Sequence, residues 1–107
     1  MAIDDRHAVG TRLLFENEHI RLWTMEVDAG GSYGPHEHQH PYVTVVAQGS
    51  HIASVMDSGE VEVEFDAEVD HVDWRQFTGP RVHTLENRGT TPYKNFIIEL
   101  LDMDAGS

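Results

Sequence analysis

Apolar side chains recur along this chain with a period near two. Val61, Val63 and Phe65 alternate with Glu60, Glu62 and Glu64, the pattern of a strand with one buried face. Residues 19–27 alternate in part and are rich in strand formers. Residues 42–48 (Tyr42-Val43-Thr44-Val45-Val46-Ala47-Gln48) are β-branched enough for a buried strand that ends at Gly49. Further strands are predicted at about 51–56, near 70–76, at 81–86 and at 94–101. Turn residues separate them at 29–32 and 57–59, and a loop is expected over 87–92. No window carries a helical period. Short strands broken every 8–12 residues or so predict an all-β sandwich or barrel. The glutamates of 60–64 read as a solvated face or a guarded strand edge. The first ten or so residues and the stretch from Asp102 onward read as loose tails.

Composition narrows the function classes. A chain of 107 residues supports one hydrophobic core, hence a single domain over 1–107. A formal net charge of −12 repels phosphates, so no nucleic-acid partner is expected. The start of the chain lacks a basic region followed by an apolar one, and no apolar run could cross a bilayer. No membrane partner and a cytoplasmic location are therefore expected. Cysteine is absent, so a metal site would have to use nitrogen and oxygen ligands.

Candidate chemistry concentrates in His36-Glu37-His38-Gln39-His40, with His83 far along the chain. On an extended strand, alternate residues share one face. Imidazole is the commonest neutral metal ligand, so these histidines predict a metal site assembled from two strands. His40 has the right parity, but Pro41 often marks a strand end and would leave His40 in a loop. His7, His19, His51 and His71 lack such company and read as surface or strand residues. Trp23, Trp74, Phe77 and Phe96 read as core packing, and Asn87 as a residue that fixes a turn.

The stretch from Gly30 through His36, His38 and Tyr42 to Gly49 resembles the first motif of the cupins. Gly79-Pro80-Arg81-Val82-His83-Thr84-Leu85-Glu86-Asn87 resembles the second. The resemblance places motif one at about 30–49 and motif two at about 79–87. It implies a small jelly-roll β-barrel holding one divalent metal through His36, His38 and His83, and a homodimer. Two departures stand out: Tyr42 occupies the position of the usual Glu ligand, and Phe77-Thr78-Gly79 replaces Pro-x-Gly with one extra residue before the histidine.

Three neutral imidazoles leave the metal's charge uncompensated and its other positions open, as in catalytic sites. Cupins that lack the Glu include iron dioxygenases. The resemblance thus implies an oxidoreductase of the dioxygenase type acting on a small oxygenated molecule, with iron favoured and zinc, nickel, manganese or copper as alternatives. Tyr42 or His40 would handle protons, and Arg81 would hold a substrate carboxylate. Metal-assisted isomerase or lyase chemistry is the first alternative. A non-catalytic module binding a sugar or small acid is the second.

Overall fold

The computed structural model describes residues 8–76 and 81–102. Among the described residues nine strands follow in order: β1 (Arg12–Glu16), β2 (Ile20–Val27), β3 (Ser32–His38), β4 (Tyr42–Gln48), β5 (Ser50–Met56), β6 (Val61–Ala67), β7 (Val72–Arg75), β8 (Arg81–Asn87) and β9 (Tyr93–Leu100). All their pairings are antiparallel. They form a five-stranded sheet, β1-β2-β9-β4-β7, and a four-stranded sheet, β3-β8-β5-β6. The fold is an all-β jelly roll. Among the described residues no helix is long and apolar enough to cross a membrane.

The chain passes repeatedly from one sheet to the other, so neighbours in sequence face each other across the interior. Trp23, Met25 and Val27 of β2 oppose Ile97, Asn95 and Tyr93 of β9 on the inner face, and Ile52 and Leu85 close the core from the other sheet. Val9 is fully buried in this core, and the Tyr33 hydroxyl hydrogen is shared between the carbonyls of Ala8 and Gly10. The chain is thus packed from residue 8, earlier than expected. β1 was not foreseen: all five of its residues are exposed, so it shows no alternation.

Of the four register shifts in the sheets, two decide which residues face inward at the cavity. On β3, Tyr33 opposes Leu85 and His36 opposes His83, so three steps on one strand match two on the other. The extra residue falls at Gly34-Pro35, where glycine tolerates irregular backbone and proline has no N–H to leave unpaired. Tyr33, His36 and His38 thereby face the interior together. On β6, Val63 opposes Ser54 but Val61 opposes Val55, leaving Glu62 as the extra residue. Strict alternation would point all three glutamates outward. The bulge instead turns Glu62 toward Ser54 and leaves Val61 41% exposed.

β7 inverts the polarity expected of a strand. Its register places Asp73 opposite Thr44 and Arg75 opposite Tyr42, both facing the cavity, so Val72 and Trp74 point away from it. Trp74 is 48% exposed, which corrects its reading as a core residue. It ends an apolar row that crosses the outer face of the larger sheet, one residue per strand: Phe15, Leu22, Ile98, Val43, Trp74. Phe96 also lies on that face and is half-buried, Trp23 is buried in the core, and Phe77 falls outside the described residues.

Asn87 ends β8 as a buried four-way tie. Its amide donates to the carbonyls of Val27 (3.0 Å) and Thr91 (2.8 Å), while its oxygen accepts from Ser50 Oγ (2.7 Å) and the Gly89 amide (3.0 Å). Gly89 allows the close approach, because a Cβ there would stand 2.3 Å from Ser50 Oγ. Asn87→Ala leaves buried partners unsatisfied and should cost at least about 2 kcal/mol, read from urea unfolding. An unchanged midpoint would show that Asn87 is not structural.

Candidate metal centre

His36 and His83 are directly opposed across β3 and β8, and His38 follows His36 on the same face. One ring nitrogen from each of the three lies within 4.8 Å of the others, and all three side chains are buried. Their rings touch one another, with centroids 4.5–4.9 Å apart. The residues that form the cluster therefore come from two adjacent strands of the smaller sheet.

The remaining hydrogen bonds decide which nitrogens point inward. His36 Nδ1 donates to the Gly34 carbonyl at 3.0 Å. His83 Nδ1 donates to Ser54 Oγ at 2.6 Å, and Ser54 in turn donates to Glu62 at 3.3 Å. These bonds fix the tautomer that leaves each Nε2 with a free lone pair. His38 Nε2 lies 2.9 Å from His83 Nε2, while its Nδ1 is buried without a partner. Two lone pairs facing each other at that distance repel unless a proton or a cation lies between them. A cation between them would relieve that repulsion, and the three ring nitrogens together could hold a divalent metal.

Burial keeps the three imidazoles neutral. His36 and His38 are held below the ordinary histidine value, His38 well below, mainly by desolvation. Neighbouring His36, His83 and Arg81 add repulsion at His38. His83 is pushed down to about 3 by burial and by the charges of His36 and Arg81. Neutral histidines ligate without first losing a proton. Ser54→Ala, which removes the group that orients His83, should lower metal affinity about 10- to 100-fold, measured by competition with a chelator. An unaltered affinity would mean that Ser54 does not orient the ligand.

Around the cluster the cavity is partly apolar and partly charged. Tyr42 begins β4, and its ring stacks on His38 with centroids 4.0 Å apart and planes 16° apart. Burial raises its hydroxyl pKa despite the nearby Arg81 guanidinium, so the phenol stays protonated. Arg81 faces the cavity too, but both its terminal nitrogens bond the Glu62 carboxylate. That fork-on-fork pair is charge-assisted and neutralises Arg81 locally. It leaves Arg81 poorly placed for the substrate carboxylate that the sequence assigned to it.

His40 takes the loop placement that Pro41 signalled. β3 ends at His38, and His40 stands at the bend before Pro41, outside the residues that line the cavity. The shared-face argument fails because parity holds only while the ladder continues. His51 and His71 lie on the surface, where His51 bonds Glu64 and Asp66 and His71 Nε2 lies 3.3 Å from Asp73. Sequence reading missed Ser54, Glu62, Asp73 and Arg75. Asp73 and Arg75 left only a misleading signal, because polar residues at alternate positions on a strand read as its outward face.

No family model matches this chain, and no curated protein matches it in sequence. Solved structures do. A cupin domain from Bordetella pertussis Tohama I aligns with a TM-score of 0.72 and 20% identity, over 92% of this chain and 98% of that one. A cupin superfamily protein from Desulfitobacterium hafniense DCB-2 gives a TM-score of 0.62 and 15% identity, over 90% and 84%. A sugar phosphate isomerase of the cupin superfamily, from Silicibacter pomeroyi DSS-3, gives 0.54 and 13% identity, over 77% and 50%. At these identities the likeness is one of fold. With two facing sheets in jelly-roll order and a histidine cluster between them, this chain has the cupin fold and a candidate metal site inside it.

Proposed function

We propose that this protein is a metal-dependent oxidoreductase of the dioxygenase type, acting on a small oxygenated molecule bound beside a divalent ion. The observation that carries the reading is the ligand set. Three neutral imidazoles converge, and no carboxylate joins them among the described residues. A divalent ion held this way keeps its full charge and open positions, and it would supply a binding point for an oxyanion and for dioxygen. Iron is the metal this chemistry favours. The chain's own residues do the rest. Ser54 and the Gly34 carbonyl orient His83 and His36. Tyr42 walls the site beside His38 and holds a proton that it can donate as a hydrogen bond. His40 has no part in this scheme.

One observation favours a second reading, a metal-assisted isomerase or lyase. Such chemistry needs a base that takes a proton from carbon, and Asp73 is among the residues that line the cavity. Elemental analysis of protein purified anaerobically, followed by a screen of small hydroxy, keto and thiol compounds, separates the readings. About one iron per chain with substrate-dependent dioxygen uptake supports the dioxygenase reading. Turnover without dioxygen on zinc, nickel or manganese, lost in Asp73→Asn, supports the second. Failure to take up any metal leaves a non-catalytic binding barrel.

A further inference from the structure

Among the described residues that line the cavity, Arg75 is a cation that the metal reading leaves unused. Arg75 faces inward at the end of β7, directly across from Tyr42, whose ring stacks on the His38 ligand. Its guanidinium is therefore one side chain away from the metal position. The groups around the centre feel it: its charge acts on the Tyr42 hydroxyl, on Glu62 and on His83.

Its surroundings differ from those of Arg81, Arg21 and Arg88, and, unlike the exposed Arg12 of β1, it lines the cavity. Arg81 is held by Glu62, Arg21 by Glu16, and Arg88 by Glu64 and Glu86. Arg75 has no hydrogen-bond or ion-pair partner among the described residues. The carboxylates near it make no ion pair with it. Glu62 is taken by Arg81, and Asp73, two residues earlier on the same face, lies 3.3 Å from His71 Nε2. A half-buried guanidinium without a counter-ion has lost hydration that an anion would replace. Its planar fork matches a carboxylate in particular.

We propose that Arg75 is the anchor for the substrate's anionic group, so that the substrate is a small organic acid. One oxygen lies at the metal, and a carboxylate at the other end lies on Arg75. This rests on the metal reading above. It also transfers to Arg75 the role that the sequence gave to Arg81, because the bulge at Glu62 has already supplied Arg81 with a partner.

The test uses cobalt(II)-loaded protein and a graded series of probes: oxalate, malonate, succinate and glutarate, with acetate and propionate as single-ended controls. Binding is followed by calorimetry and by the visible bands of cobalt. The expected result is that one dicarboxylate length binds about 10- to 100-fold more tightly than either monocarboxylate. In Arg75→Met that advantage should vanish while cobalt uptake stays intact. Arg75→Lys, which keeps the charge but not the fork, should retain part of it, and it serves as the test if the Met variant does not fold. A preference that survives both variants, or no preference in the unaltered protein, overturns the role of Arg75 alone. Failure of the unaltered protein to bind cobalt overturns the metal reading, and this proposal with it.

Discussion

His83→Ala should strip the metal from this protein, with affinity falling by more than the roughly 10- to 100-fold that loss of an orienting partner costs. The reason is geometric. His83 sits at the centre of the cluster, opposed to His36 across the ladder and 2.9 Å from His38 Nε2. Removing it leaves two neighbouring ligands on one strand, and the smaller side chain puts nothing in their reach. His36→Ala should behave in the same way. His40→Ala is the informative control, because His40 stands outside the cavity and its loss should leave metal content unchanged. Metal per chain after gel filtration reads all three. Full occupancy in His83→Ala would mean that other residues build the site.

Acidification should destabilise the metal-free protein well above the pH at which most carboxylates titrate. His83 is lowered from an ordinary 6.5 to about 3 in the folded chain. A depressed pKa means that the unfolded state takes up the proton first. Its contribution is therefore fully present above pH 6.5 and is lost as pH falls toward 3. Between pH 6.5 and 5 the loss from His83 alone is about 1.6 kcal/mol, and by pH 4 it is about 3 kcal/mol. His36 and His38 shift in the same direction and add to it. His51 acts in the opposite sense. Its pKa is raised by Asp66 and Glu64, so its contribution is present below pH 6.5 and is lost as pH rises. Glu62 and Glu64 are held below their ordinary 4.5, so they erode stability only in more acid solution. The window from pH 6.5 to 5 therefore belongs to the buried histidines. Urea unfolding across it should show a steep decline that His83→Gln makes shallower. Parallel slopes for the two proteins would count against a buried neutral His83.

The sequence made the strands and the histidine pattern legible because both follow from the two-residue period of extended chain. His36 and His38 share a face for that reason alone, and the strands at 42–48 and 81–86 match β4 and β8 closely. The rest depends on pairing, which no local pattern carries. Whether Glu62 points out or in is decided by one unmatched residue opposite Ser54 and Val55. That single slip separates a solvated acidic row from a carboxylate that binds Arg81 and backs a candidate ligand through Ser54. Arg75 and Asp73 were hidden for a related reason. β7 is an edge strand, where the outward positions hold valine and tryptophan, so polarity alone gives the wrong face. His40 shows the converse, a correct parity applied past the end of its strand.

The two tryptophans stand on opposite faces of one sheet, and this divides the protein's intrinsic fluorescence into an inner and an outer signal. Trp23 is buried, with its indole N–H donating to the Glu99 carboxylate at 2.6 Å, whereas Trp74 is half in water. The net charge of −12 repels iodide and attracts caesium, so a cationic quencher reaches the outer indole preferentially. With Trp74 dimmed in this way, the remaining emission comes from within the barrel. It then serves as an optical reporter of the interior that needs no added dye.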